Sequence, residues 1–216
     1  MDDKDVTFDV PRFMSFIDLA HLSEAIKVTD QYFQDKINGT EDRNEIGNLN
    51  ATRQSVHRSA FLSSCAIIDQ HLDANCIKDA ERCGIQLRPK DLRTGGIYRS
   101  IDYANKVLGY AIDRSMPPWK ELGDMQDLRN HLIHFGPGFD NSPEHAKRIE
   151  KYKKLSFVSL RPTICFSYSQ LMEVQSLLMD CVESFLGQKR DNLTSEDNSE
   201  NAATVSDLRV AHKIVR

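Results

Sequence analysis

A chain of 216 residues with 40% hydrophobic and 28% charged side chains has the composition of one folded domain in water. No run approaches the roughly 18 to 20 apolar residues that a spanning helix needs, which removes the membrane-spanning classes from consideration. The net charge of −4 argues against coating nucleic acid by bulk electrostatics and leaves room for local basic groups.

The start, Met1-Asp2-Asp3-Lys4-Asp5, is acidic where a targeting peptide would be basic. Cys65, Cys76, Cys83, Cys165 and Cys181 form an odd set without C-x-x-C spacing and read as reduced, mostly buried thiols. Both features lead to the expectation of a cytoplasmic protein. A zinc site from Cys76, Cys83 and a nearby histidine lacks paired ligand spacing, so no metal and no cofactor is expected.

In chain order, Phe13, Ile17, Ala20, Leu22, Ile26, Phe33 and Ile37 recur near the helical period and predict a first long helix over Pro11 to Ile37, stopped by Asn38-Gly39. Thr40 to Asn48 is polar and reads as a loop. Phe61, Cys65, Ile68, Leu72 and Cys76 predict a second helix from about Asn50, and Gly84 to Gly96 a long loop. In or beside that loop, Lys90, Arg93 and Arg99 are weak candidates for RNA phosphate contacts, with solvated surface charge as the plainer reading.

Ile97, Ile101, Ala104, Leu108 and Ala111 predict a third helix ending before Met116-Pro117-Pro118. The fourth runs from Trp119 to Phe135 and is closed by Gly136-Pro137-Gly138. His145 to Lys154 reads as a short basic helix. Leu155 to Phe166 alternates around Arg161-Pro162 as a small hairpin, and Leu171, Val174, Leu178, Cys181 and Phe185 mark a last long helix. The fold class is therefore all-α, an up-down bundle of about five helices with a hairpin before the last one. The domain is placed at 1–187. The tail 188–216 is expected to be polar and disordered, with Val205 to Val215 either a short helix, a partner-binding peptide or a frayed end.

No internal repeat, glycine-rich phosphate loop, G-x-S-x-G elbow or H-E-x-x-H pair occurs. The chemistry-bearing stretch is Arg129-Asn130-His131-Leu132-Ile133-His134 on the fourth helix. At about 100° per residue, Met125, Leu128, Leu132 and Phe135 share a core stripe, Arg129 falls roughly 40° from Met125, and His134 roughly 180° away. The two residues do not share a face. A second copy of the helix across a two-fold axis would gather two His134 and two Arg129 groups in one cationic cleft. Imidazole can move a proton near neutral pH and guanidinium can hold phosphate oxygens, which together are the parts for metal-free cleavage of an RNA phosphodiester.

The series Arg129-Asn130-x-x-x-His134 resembles the Arg-x4-6-His motif of the HEPN superfamily, over roughly residues 11 to 187. The resemblance implies a helical ribonuclease-like domain of the toxin-antitoxin or phage-defence group. It implies Arg129 and His134 as catalytic, Asn130 as a positioning residue at a homodimer interface, RNA as substrate and an antitoxin or defence-system partner. Members with a tyrosine two residues after the histidine can be modified there by a nucleotidyltransferase; here that position is Gly136. His131, a turn before His134, is a weak RNA-binding candidate, with a surface or interface histidine as the plainer reading. The other histidines, His57 and His145 among them, read as structural or exposed. Beside the endoribonuclease stand two other readings: a non-catalytic HEPN-like module binding RNA or a protein, and an unrelated helical interaction domain in which Arg129 makes a buried ion pair.

Overall fold

The computed structural model describes the backbone of residues 10–196 and the side chains of residues 17–188. Among the described residues six α-helices and one two-stranded hairpin follow in order: α1 Val10–Asn38, α2 Arg43–Arg82, α3 Ile97–Val107, α4 Trp119–Phe135, α5 Pro143–Tyr152, β1 Ser159–Leu160, β2 Ile164–Cys165 and α6 Tyr168–Glu196. The fold is all-α, with the hairpin placed before the last long helix as the alternation around Arg161-Pro162 predicts. The strands are antiparallel, Ser159 opposite Cys165 and Leu160 opposite Ile164.

Three boundaries differ from the sequence expectation for identifiable reasons. Helix α2 begins at Arg43, inside the polar stretch expected as a loop; the Asp42 carboxylate accepts from the Asn44 amide at 2.8 Å, and an exposed first turn needs no apolar stripe. Helix α3 stops at Val107 rather than Ala111 because Gly109 adopts φ 73° and the Tyr110 amide bonds back to the Ala104 carbonyl at 3.0 Å, a glycine-dependent helix stop. Helix α6 keeps its backbone helical through Glu196, past the Gly187 at which the polar tail was expected to start. The rest of that expected tail, including Val205 to Val215, lies outside the described residues.

The chain divides into two compact units. The one that carries the motif is formed by Asp18–Ile67 and Arg114–Cys181. Its core joins Ile26 and Phe33 of α1, Phe61 of α2, Leu122, Met125 and Leu128 of α4, and Val174 and Leu178 of α6, all buried. Phe61 stacks on Phe166 with ring centroids 4.8 Å apart, which seats the chain after the hairpin on α2. Leu19, outside the predicted apolar set, is also core, whereas Ala20, inside that set, is exposed.

The other unit is centred on Ile68–Asp113 with Val182, Phe185 and Leu186 of α6. Tyr110 packs on Phe185 at 5.2 Å and donates its hydroxyl to Asp79 at 2.9 Å; burial, then that carboxylate, pushes its phenol up. Burial likewise pushes the Tyr103 phenol up to about 12, with its hydroxyl donated to the Leu87 carbonyl at 2.6 Å.

Candidate functional site

Helix α4 owes its position to its buried side, where Trp119, Leu122, Met125, Leu128 and Leu132 follow the helical period. Its end is set by Gly136, whose φ of 74° and ψ of −164° lie in a region open only to glycine without strain. The chain then turns through Pro137, whose carbonyl accepts the Ile164 amide at 2.8 Å and ties the hairpin to the end of α4.

Phe135 departs from the expected core stripe: it is 53% exposed. As the last residue of α4 it projects past the core, and its ring carries the Arg148 guanidinium at 4.8 Å and meets His145 edge-on at 5.2 Å.

His131 is a correction to the surface reading, since it is 0% exposed. Its Nε2 lies 3.1 Å from the Gly138 carbonyl and its Nδ1 3.2 Å from Arg148. A guanidinium can only donate and a carbonyl only accept, so the ring is the neutral Nε2–H tautomer, donating to Gly138 and accepting from Arg148. Burial first, then the charge of Arg148, holds its proton affinity below that of an ordinary histidine, against the pull of the Gly138 carbonyl. Phe139 stacks on the ring at 4.7 Å, with Tyr152 and His145 at its edges. Both nitrogens are committed inside the fold, so His131 positions Arg148 and the Gly138 turn and has no nitrogen left for RNA. His145 is buried as well, its Nδ1 accepting from the Asp140 amide at 2.9 Å.

Asn130, His134 and Phe135 of α4 and Arg148, Lys151 and Tyr152 of α5 surround a concavity of about 220 Å³, with Asp127 on its rim. His134 is exposed within it. Asn130 accepts from the Gln126 amide at 3.2 Å through its Oδ1, which fixes its rotamer. Lys151 is spent on Asp127 and on Asp124 at 3.0 Å; these bonds hold its ammonium above the usual lysine range against the cost of desolvation. Arg148 is held on three sides, by His131, by Phe135 and by Glu144 at 2.6 Å.

The structure thus brings together Asn130 and His134 of the predicted set and leaves Arg129 half-buried outside the concavity. That placement follows the wheel, on which Arg129 sits beside the core stripe. Among the described residues no carboxylate pairs with Arg129, which removes the support for a buried ion pair as its role. Arg148 is the residue that sequence reasoning passed over, seen only as one cation in a basic run. Its signal was the Glu144–Arg148 spacing of four, which fixes the guanidinium to the face of α5 that Lys151 also occupies. Lys90 and Arg93 are exposed and Arg99 is half-buried at 3.4 Å from Asp73, all three in the other compact unit.

No group of three histidine, cysteine, aspartate or glutamate side chains is placed to hold a metal ion among the described residues. Cys76 donates to the Ser100 carbonyl at 3.4 Å, and burial pushes its thiol up, away from the thiolate that zinc needs, whereas Cys83 is exposed. No described helix is long and apolar enough to cross a membrane.

Comparison of the chain with protein-family models, with curated proteins and with solved structures finds no match.

Proposed function

We propose that the protein is a metal-independent endoribonuclease of HEPN type, acting as a homodimer whose cleft is built around the α4 ends of two copies. The observation that carries this reading is the concavity lined together by an exposed imidazole, His134, a fixed cation, Arg148, and Asn130. In the reaction, one His134 takes the proton of a ribose 2′-hydroxyl, and that oxygen attacks the adjacent phosphorus. Negative charge grows on the phosphoryl oxygens, where Arg148 of the same concavity and Arg129 of the second copy stabilise it. The bond to the 5′-oxygen breaks, the leaving oxygen takes a proton from water, and the imidazolium returns its proton to the solvent. The products are a 2′,3′-cyclic phosphate and a 5′-hydroxyl. A toxin or phage-defence role with an antitoxin or defence-system partner, in the cytoplasm, belongs to the same reading.

A second reading, a non-catalytic helical module that binds RNA or a protein, is favoured by one observation. Ile133 is 50% exposed and Phe135 is 53% exposed, so apolar surface flanks His134 on the last turn of α4. In the enzyme reading the same surface meets the second copy.

The deciding experiment is incubation of purified protein with mixed RNA in excess chelator, beside Arg129→Ala, His134→Ala and Arg148→Ala. Cyclic-phosphate ends that vanish with His134→Ala support the enzyme. Cleavage that requires added divalent metal, or that survives all three substitutions, sinks it.

A further inference from the structure

We infer that the cavity walled by the early turns of α2 and by the β1–β2 turn is a binding site for the phosphate of a nucleotide. The site is distinct from the His134 concavity and stands apart from the cleavage reading. It has a volume of about 640 Å³, inside the roughly 300 to 1,000 Å³ of small-molecule sites. Three arginines line it, Arg53, Arg58 and Arg161, and no aspartate or glutamate does.

The partners of these arginines decide what the cavity attracts. Arg53 is neutralised by Asp30 through two bonds, at 2.6 and 3.0 Å. Arg58 donates to the Ile164 carbonyl at 3.2 Å and to the Ser55 hydroxyl at 3.1 Å, acceptors that hold the guanidinium still without cancelling its charge. Arg161 is exposed on the hairpin turn, and among the described residues no carboxylate pairs with it. A chain of net charge −4 therefore keeps two uncompensated guanidiniums on one cavity. Guanidinium matches phosphate oxygens with two parallel bonds, so phosphate is the anion such a pair selects.

The walls are already built. Gln54 clamps the Phe166 backbone with bonds of 3.1 and 3.0 Å, His57 bonds the same carbonyl at 2.7 Å, and Gln170 accepts the Ser167 amide at 3.0 Å. Because these amides are spent on the frame, little ordering remains to oppose binding. The Thr163 hydroxyl adds a polar group, while Pro137 and Pro162 leave apolar surface for a sugar or base. The volume holds more than a bare phosphate, which is why a nucleotide is the ligand class.

The test uses the full-length His134→Ala protein, so that no strand is consumed, at low salt with chelator. Inorganic phosphate, adenosine monophosphate and a 5′-phosphorylated tetraribonucleotide are each titrated by calorimetry. Saturable binding of the monophosphate or the tetranucleotide, tighter than that of inorganic phosphate, is expected. It should weaken about ten-fold or more with Arg161→Ala, be abolished by Arg161→Glu, and be unchanged by Lys27→Ala on exposed α1 surface. Tighter binding of the tetranucleotide identifies a strand as the source of the phosphate; tighter binding of the monophosphate identifies the free nucleotide. The inference is overturned if none of the three binds, if inorganic phosphate binds as tightly as the esters, or if both Arg161 variants bind like the parent. Arg161 is exposed on a turn, so its variants should keep the fold, which circular dichroism checks.

Discussion

His131 and His134 lie one turn apart on α4 and meet opposite circumstances. His131 is enclosed by Phe139, Tyr152, His145 and the Arg148 guanidinium, while His134 opens to solvent. Unfolding returns His131 to an ordinary imidazole with a pKa of 6.5, above its value in the fold. The unfolded chain therefore binds more protons in mild acid, so the stability that His131 contributes is whole above that value and is lost as pH falls below it. Urea midpoints measured between about pH 8 and pH 5 should drop more steeply for the unaltered protein than for His131→Gln. Equal slopes would remove His131 as the titrating group. For His134 the prediction follows from the proposed cleavage and concerns rate: His134→Ala should reduce it by on the order of 10²- to 10⁴-fold with an unchanged melting temperature. Arg148→Ala should lower both rate and stability, because the same guanidinium serves the concavity and braces His131.

At the scale of the element, α4 depends on where it stops. Gly136 holds a positive φ, and a Cβ there would meet nothing within 4 Å, so the cost of Gly136→Ala is conformational rather than steric. That substitution should destabilise the protein by about 1 to 3 kcal/mol in chemical denaturation. Gly138→Ala has equal room and no positive φ, and should cost far less. A similar loss in both variants would count against strain as the cause. The cleavage reading adds that Gly136→Ala should displace Phe135 from the Arg148 guanidinium and lower RNA cleavage along with stability. The end of α3 obeys the same physics: the apolar spacing of Leu108 and Ala111 continues the helical period, yet Gly109 ends the helix first.

For the whole molecule, the decisive question is whether one cleft draws on two copies. Arg129 lies outside the concavity that holds His134, so a single chain leaves the motif divided. If each cleft takes its arginine from one copy and its histidine from the other, mixing Arg129→Ala with His134→Ala should restore about a quarter of the unaltered activity, since half of the random dimers carry one intact cleft. No recovery after verified subunit exchange would confine the cleft to one chain. On the proposed homodimer, replacing the exposed Ile133 and Phe135 with serine should shift the protein toward monomer in light scattering.

The sequence by itself determined the helical class, the hairpin around Arg161-Pro162 and the limits of α4, because apolar periodicity and glycine or proline stops are local properties of the chain. It named Arg129, Asn130 and His134 together through the motif, and of these the helix makes Asn130 and His134, four residues apart, neighbours on one concavity. Only tertiary structure decided that His131 is buried, that Phe135 is exposed and that Arg148 joins His134 where Arg129 does not. Each of these depends on how α5 and the Gly136–Gly138 turn pack against α4, and a helical wheel shows the faces of one helix without what covers them. The arginine-lined cavity was hidden for the same reason: Arg58 and Arg161 are far apart in sequence, and only the folded chain shows that Asp30 pairs with Arg53 and not with them.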